Sequence, residues 1–233
     1  MRLIRFLSYW FFAISLAATT AGAETWKIAS PEWPPYAGAQ LPENGRAIEK
    51  LRTILRNAGV TLVVEFMPWS RAQSIAASAD YVGYFPAREQ DVCEEFATTH
   101  PVIFSKVGVI KREETTLEWS GLDVLFENYR IGFVASHVYP PEIQRQIYRH
   151  YQPEDGTENE EDLARILSAG RVEAALMDPE VLFHIADRLS LNGIDPDPRI
   201  LEQLPLVLAL FKSEGYERRM NLLNALLNEA SAQ

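Results

Sequence analysis

DYVGYFPAREQDVCEEFATTHPVIFSKVGVIKR, residues 80–112, decides how the rest of the chain is read. A short apolar run breaks at Pro86, and one guanidinium, Arg88, stands two residues beyond the break. An acidic patch follows, and Val102 to Ile110 is a second extended run rich in β-branched residues, closing on Lys111 and Arg112. The stretch predicts a strand, a loop that carries a cation, and a strand leading away. An arginine presents a rigid fork of donors that matches a carboxylate, which makes Arg88 a candidate anion clamp. Taken alone, the stretch is read first as a solvated Arg88 paired with Glu89 or Asp91.

Toward the N-terminus, Thr25 to Ser30 has the pattern of a short strand, and it runs into Pro31-Glu32-Trp33-Pro34-Pro35-Tyr36. The prolines end the ladder and leave Trp33 and Tyr36 just past the strand's C-terminal end, the side on which open α/β sheets bind ligands. Capping the core is an equally good use of two large aromatics. Arg46 to Ala58 is an amphipathic helix, Thr61 to Phe66 a β-branched strand, and Ser70 to Ala79 a second helix opened by Pro68-Trp69. Strand, helix, strand, helix, strand calls for a parallel sheet with right-handed crossovers. Trp69 stands at another strand-to-helix junction and is a third rim aromatic.

Beyond Arg112 the pattern restarts. Trp119 to Phe126 is predicted helical and Arg130 to Val134 extended, followed by the turn Ala135-Ser136-His137-Val138-Tyr139 and a helix from Pro140-Pro141 to His150. Ser136 and Tyr139 bring hydroxyls to that turn, a candidate polar seat ahead of a helix. Glu160 to Ser168 is a helix stopped by Gly170, and Glu173 to Met177 a buried strand ending in Asp178-Pro179. Asp178 suits the cap of a helix from Pro179 to Leu189, and it also falls on the ligand side of a sheet. The two roles are compatible. Asn192 to Arg199 reads as a turn-rich loop, Leu204 to Phe211 as a strand, and Tyr216 to Ala230 as a closing helix with Met220, Leu223, Leu227 and Ala230 on one face. The chain thus holds two α/β units plus a last strand and helix. If these return to the first unit, two strands cross between the lobes, near Lys106 to Arg112 and near Gln203 to Leu208, and form a hinge.

Composition limits the function. Arg2 and Arg5, the apolar run Phe6 to Ala18 and the small residues ending at Ala23 have the grammar of a cleaved export signal, too short for a comfortable membrane span. Without Arg2 and Arg5, 20 Lys plus Arg face 32 Asp plus Glu, a formal charge of -12. Nucleic acid is excluded as an expected partner, because a phosphate backbone requires a basic footprint. Cys93 is the single cysteine and has no internal disulfide partner, which suits a periplasmic protein stabilised by its core. There is no metal-spaced pair among His100, His137, His150 and His184, no nucleophile motif and no phosphate loop, so no metal, cofactor or catalytic residue is expected.

Four stretches in order, KIASPEWPPYAG (27–38), FPAR (85–88), RIGFVAS (130–136) and LSAGRVEAALMDPEV (167–181), resemble the periplasmic solute-binding proteins of family 3, in a divergent form. The last is the most specific. The resemblance covers essentially the whole chain after the signal and implies an α/β, two-lobed type II periplasmic-binding fold. Each lobe would be a mainly parallel sheet flanked by helices, with two hinge crossings. It divides the chain into a signal (1–23), the first part of lobe 1 (24–112), lobe 2 (113–203) and a return to lobe 1 (204–233). It implies that Trp33 packs on the ligand, Arg88 takes a carboxylate, the Ser136 turn adds hydrogen bonds and Asp178 takes an amino group. GYFPAR replaces the family's serine- and threonine-rich turn, which brings Tyr84 to the wall; Ser136-His137-Val138 replaces Gly-Thr-Thr. The expected function is closure on a small zwitterionic or anionic solute such as an amino acid or small carboxylate. The protein would act as a monomer, with an ABC permease or a membrane sensor as partner. The alternative is a lyase on the same scaffold, resembling cyclohexadienyl dehydratase.

Overall fold

Two long strands run through the whole molecule, and everything else hangs on them. In this computed structural model, which describes residues 24–78 and 80–232, they are β5 (Ile103–Arg112) and β9 (Ile194–Phe211), paired antiparallel from Ile103↔Leu206 to Arg112↔Ile194. The export signal expected at 1–23 lies outside the described residues.

In chain order, β1 (Thr25–Ser30), α1 (Arg46–Asn57), β2 (Thr61–Phe66), α2 (Trp69–Ile75), β3 (Gly83–Arg88) and β4 (Phe96–Thr98) precede β5. Next come α3 (Leu122–Asn128), β6 (Ile131–Val134), α4 (Pro141–Arg149), β7 (Gly156–Thr157), α5 (Glu160–Ser168), β8 (Ala174–Met177) and α6 (Pro179–Leu189). After β9 the chain closes with α7 (Tyr216–Ser231). One curled sheet has the order β2-β1-β3-β9-β5-β8-β6-β7, with β4 also on β9. β1 pairs parallel with β2 and β3, and β6 parallel with β8 and β7. These parallel sets are the two lobes, and β5 and β9 are the two crossings between them.

The helices form where the apolar spacing places them. α1 buries Ile48, Leu51 and Leu55 against Trp26 and Ile28 of β1 and Leu223 and Leu227 of α7, so the closing helix packs on the first parallel set. A second core gathers Leu125, Phe133, Ile143 and Ile147 over Leu176 of β8. Among the described residues no helix is long and apolar enough to cross a membrane.

Several boundaries differ from the sequence reading. β3 does not break at Pro86: it continues to Arg88, and the register on β9 shifts between Tyr84 and Ala87. Proline lacks the N–H that a ladder needs, and an irregularity in the pairing is where a strand tolerates it. Arg88 therefore ends a strand and is not on a free loop. Residues 194–203, with Asp195, Pro196, Asp197 and Pro198, read as loop but extend β9. Here β5 supplies ladder partners, and Arg199 together with the Trp119 ring N–H satisfies Asp197. Finally, α2 ends at Ile75 and α3 begins at Leu122, each shorter than its apolar pattern.

Candidate functional site

The strand ends of the two lobes face one another across a cleft of about 330 Å³, a size suited to a small solute. From the first lobe, Trp33, Trp69, Arg88 and Asp91 line it, and from the second Ser136, His137 and Glu160. Of the residues singled out from sequence, Trp33, Trp69, Arg88 and Ser136 thus meet in one place.

Trp33 is set by the turn after β1, in which its N–H donates to the Ala37 carbonyl at 2.8 Å and its own carbonyl accepts from the Tyr36 N–H at 2.9 Å. The half-buried guanidinium of Arg88 stands 5.5 Å from the centre of the Trp33 ring, in reach of a cation–π contact. Neither Glu89 nor Asp91 forms an ion pair with Arg88, and its buried Nε has no hydrogen-bond partner among the described residues. Asp91 is near enough to feel the charge. Burial pushes its carboxyl pKa up, and Arg88 opposes that shift.

Tyr36 and Tyr84 do not line the cleft, which corrects the expectation for both. Tyr36 is fully buried and packs behind Trp33 with ring centres 4.8 Å apart. Tyr84 is fully buried between Trp69 and Phe96, at 5.5 and 4.8 Å. Alternation along the strand settles Tyr84, because its side chain joins the face that packs on α2. Each supports a cleft aromatic from behind. Burial raises both phenol pKa values, and for Tyr36 a hydrogen bond to Asp178 adds to the shift.

Asp178 sits behind the main cleft, in a recess of about 20 Å³ that also touches Arg88, His137, Tyr139 and Glu160. It is 6% exposed and accepts three hydrogen bonds, from the Glu180 N–H at 2.8 Å, the Lys106 N–H at 2.7 Å and the Tyr36 hydroxyl at 2.5 Å. It caps α6 and ties β5 to the Tyr36 turn. Tyr139 is buried as well, and its oxygen accepts from the Val134 N–H at 3.0 Å. Burial raises its pKa.

Glu160 is the residue that sequence reasoning passed over. It is the first of three acids opening α5, a run that ordinarily serves the helix N-terminus, and no spacing marks the one turned toward the cleft. Its Oε1 accepts from the Trp33 ring N–H across the cleft at 3.2 Å and lies 3.4 Å from His137 Nε2. Burial lowers the His137 pKa; Glu160 pulls it up and Arg88 pushes it down. Burial, the largest influence, thus favours the neutral imidazole.

Two lobes joined by two strand crossings, with a guanidinium, indoles and a carboxylate meeting in the cleft, define a class: the type II periplasmic-binding fold, as found in solute-binding proteins of family 3. No family model and no curated protein matches the chain. Solved structures do. A histidine kinase sensor domain with similarity to periplasmic binding proteins is 16% identical with a TM-score of 0.68, covering 91% of this chain and 92% of its own. The AvGluR1 ligand-binding domain in complex with glutamate is 15% identical, TM-score 0.68, covering 90% and 91%. The arginine-bound form of truncated ArgBP from T. maritima is 14% identical, TM-score 0.61, covering 88% and 96%. At these identities the likeness is one of fold.

Proposed function

We propose that this protein is an exported receptor, acting in the periplasm, that closes its two lobes on a small zwitterionic or anionic solute of the amino acid class. The observation that carries the reading is Arg88. Its half-buried guanidinium lines the cleft, unpaired among the described residues, beside an indole face and opposite a carboxylate of the other lobe. A guanidinium so placed offers a bidentate seat to a carboxylate, and Trp33 and Trp69 shield that contact from water and strengthen it. Solved neighbours in complex with glutamate and arginine support the solute class, and a sensor domain among them keeps sensing beside transport as the use of the captured solute. Reciprocal contacts from both lobes favour the closed form when solute is bound, which is the signal a permease or a membrane sensor would read.

A thermal-shift screen against amino acids and small carboxylates, followed by calorimetry, tests this. A tight ligand raises the melting temperature by mass action. Arg88→Ala should then lose about tenfold or more in affinity for carboxylate ligands, the range for a charge-assisted hydrogen bond. Unchanged affinity would remove Arg88 from the site. Turnover of prephenate or arogenate by the purified protein would replace the receptor reading with that of a lyase.

A further inference from the structure

We infer that Glu160, and not Asp178, receives the positive group of the solute, and that the cleft selects zwitterions carrying an additional positive charge over neutral or acidic ones. The inference rests on the receptor reading and narrows its solute class.

Asp178 is unsuited to the role. Three of the roughly four acceptor sites of its carboxylate are already taken by two backbone N–H groups and a buried hydroxyl, and it is buried in a recess of about 20 Å³, too small to admit an ammonium group with its substituents. Glu160 is differently placed. One oxygen holds the Trp33 ring N–H, while Oε2 accepts nothing among the described residues. Asn159 caps α5, and that leaves the Glu160 side chain outside the helix's own hydrogen bonding. Because its contact to Trp33 crosses the cleft, a cation at Glu160 and a carboxylate at Arg88 would both lie against the same indole.

Charge over the whole lining points the same way. Glu32, Asp91, Glu158 and Glu160 face one guanidinium, Arg88, and His137 does not redress the balance, because burial favours its neutral form. Glu32 is partly occupied by the Ala39 N–H, at 3.2 Å to each oxygen. A neutral zwitterion leaves most of this negative charge uncompensated; a diamino acid or a guanidino acid compensates more of it, and a dicarboxylate adds to it.

Calorimetry on the purified protein with L-lysine, L-ornithine, L-arginine, L-glutamine, L-glutamate and putrescine decides the matter, for wild type, Glu160→Gln and Asp178→Asn. Glutamine keeps the length and the acceptor for Trp33 but removes the charge. The expected result is at least about tenfold preference of wild type for the basic amino acids over glutamine. Glu160→Gln should reduce that preference, and Asp178→Asn should keep it even if its stability drops. Equal affinity for glutamine or glutamate, or an undiminished preference in Glu160→Gln, overturns the inference. Putrescine bound without any amino acid, and lost in Glu160→Gln, would keep the acceptor and overturn the carboxylate reading of Arg88. Silence from the whole panel overturns both.

Discussion

His137 shows how one side chain couples the cleft to acidity. Its ring is half-buried, Glu160 faces it from α5, and Arg88 faces it from β3. Burial, the largest influence, lowers its pKa from the ordinary 6.5, so the folded protein binds this proton less readily than the unfolded chain does. Its contribution to stability is therefore full above the unfolded value and is lost as pH falls through the folded one. Urea unfolding across about pH 7 to 5 should show wild type losing stability relative to His137→Gln; a relative gain would refute the assignment. At this scale the sequence was a partial guide. Trp33, Trp69, Arg88 and Ser136 were legible because strand ends and turns place side chains by rule. Tyr36 and Tyr84 were not, because whether an aromatic lines a cleft or backs its wall depends on the packing behind it. Glu160 was hidden among acids that every helix start favours. Asp178 was legible as a cap, and the structure adds two further bonds to its carboxylate.

Elements were easier to read than sites, since periodicity and stop signals are local. The sequence placed β1, β2, α5 and α6 at their observed bounds. It failed where a distant strand overrides local chemistry, as β5 does for the prolines and aspartates of 194–203. β3 is the element on which the site depends most, because it carries Arg88 at its end. Its first residue, Gly83, lies so close to β9 that a Cβ there would stand 1.9 Å from the Ala209 carbonyl oxygen. Backbone cannot yield as a flexible side chain would. Gly83→Ala is therefore expected to separate β3 from β9 and to destabilise the fold by about 3 kcal/mol or more. Urea denaturation measures this, and a change within about 0.5 kcal/mol, as for an ordinary surface substitution, would contradict the close approach. Partly stable protein should also show weakened solute binding, since Arg88 moves with the strand.

Across the whole molecule the lobes are held by a short set of polar contacts beside the cleft. Tyr36 bonds to Asp178, Trp33 to Glu160, and Glu180 at the start of α6 pairs with Arg46 at the start of α1 and, at 3.2 Å, with Lys106 on the crossing strand. Glu180 is thus an ionic catch between the lobes. Partly exposed pairs contribute little singly, and the two together are worth about 1 kcal/mol after screening by solvent. On the proposed receptor reading, in which the lobes open and close, that suffices to matter, because apparent affinity falls with the closed fraction and about 1 kcal/mol is roughly a fivefold change. Glu180→Gln removes both pairs while its backbone N–H still bonds Asp178. Small-angle scattering of the ligand-free variant should give a larger radius of gyration than wild type, and saturating solute should bring the two together. Affinity should fall by about fivefold through loss of the closed form, and high salt should weaken wild type toward the variant. Identical scattering and affinity would mean that closure rests on the hydrogen bonds of Tyr36 and Trp33, with the ionic catch idle.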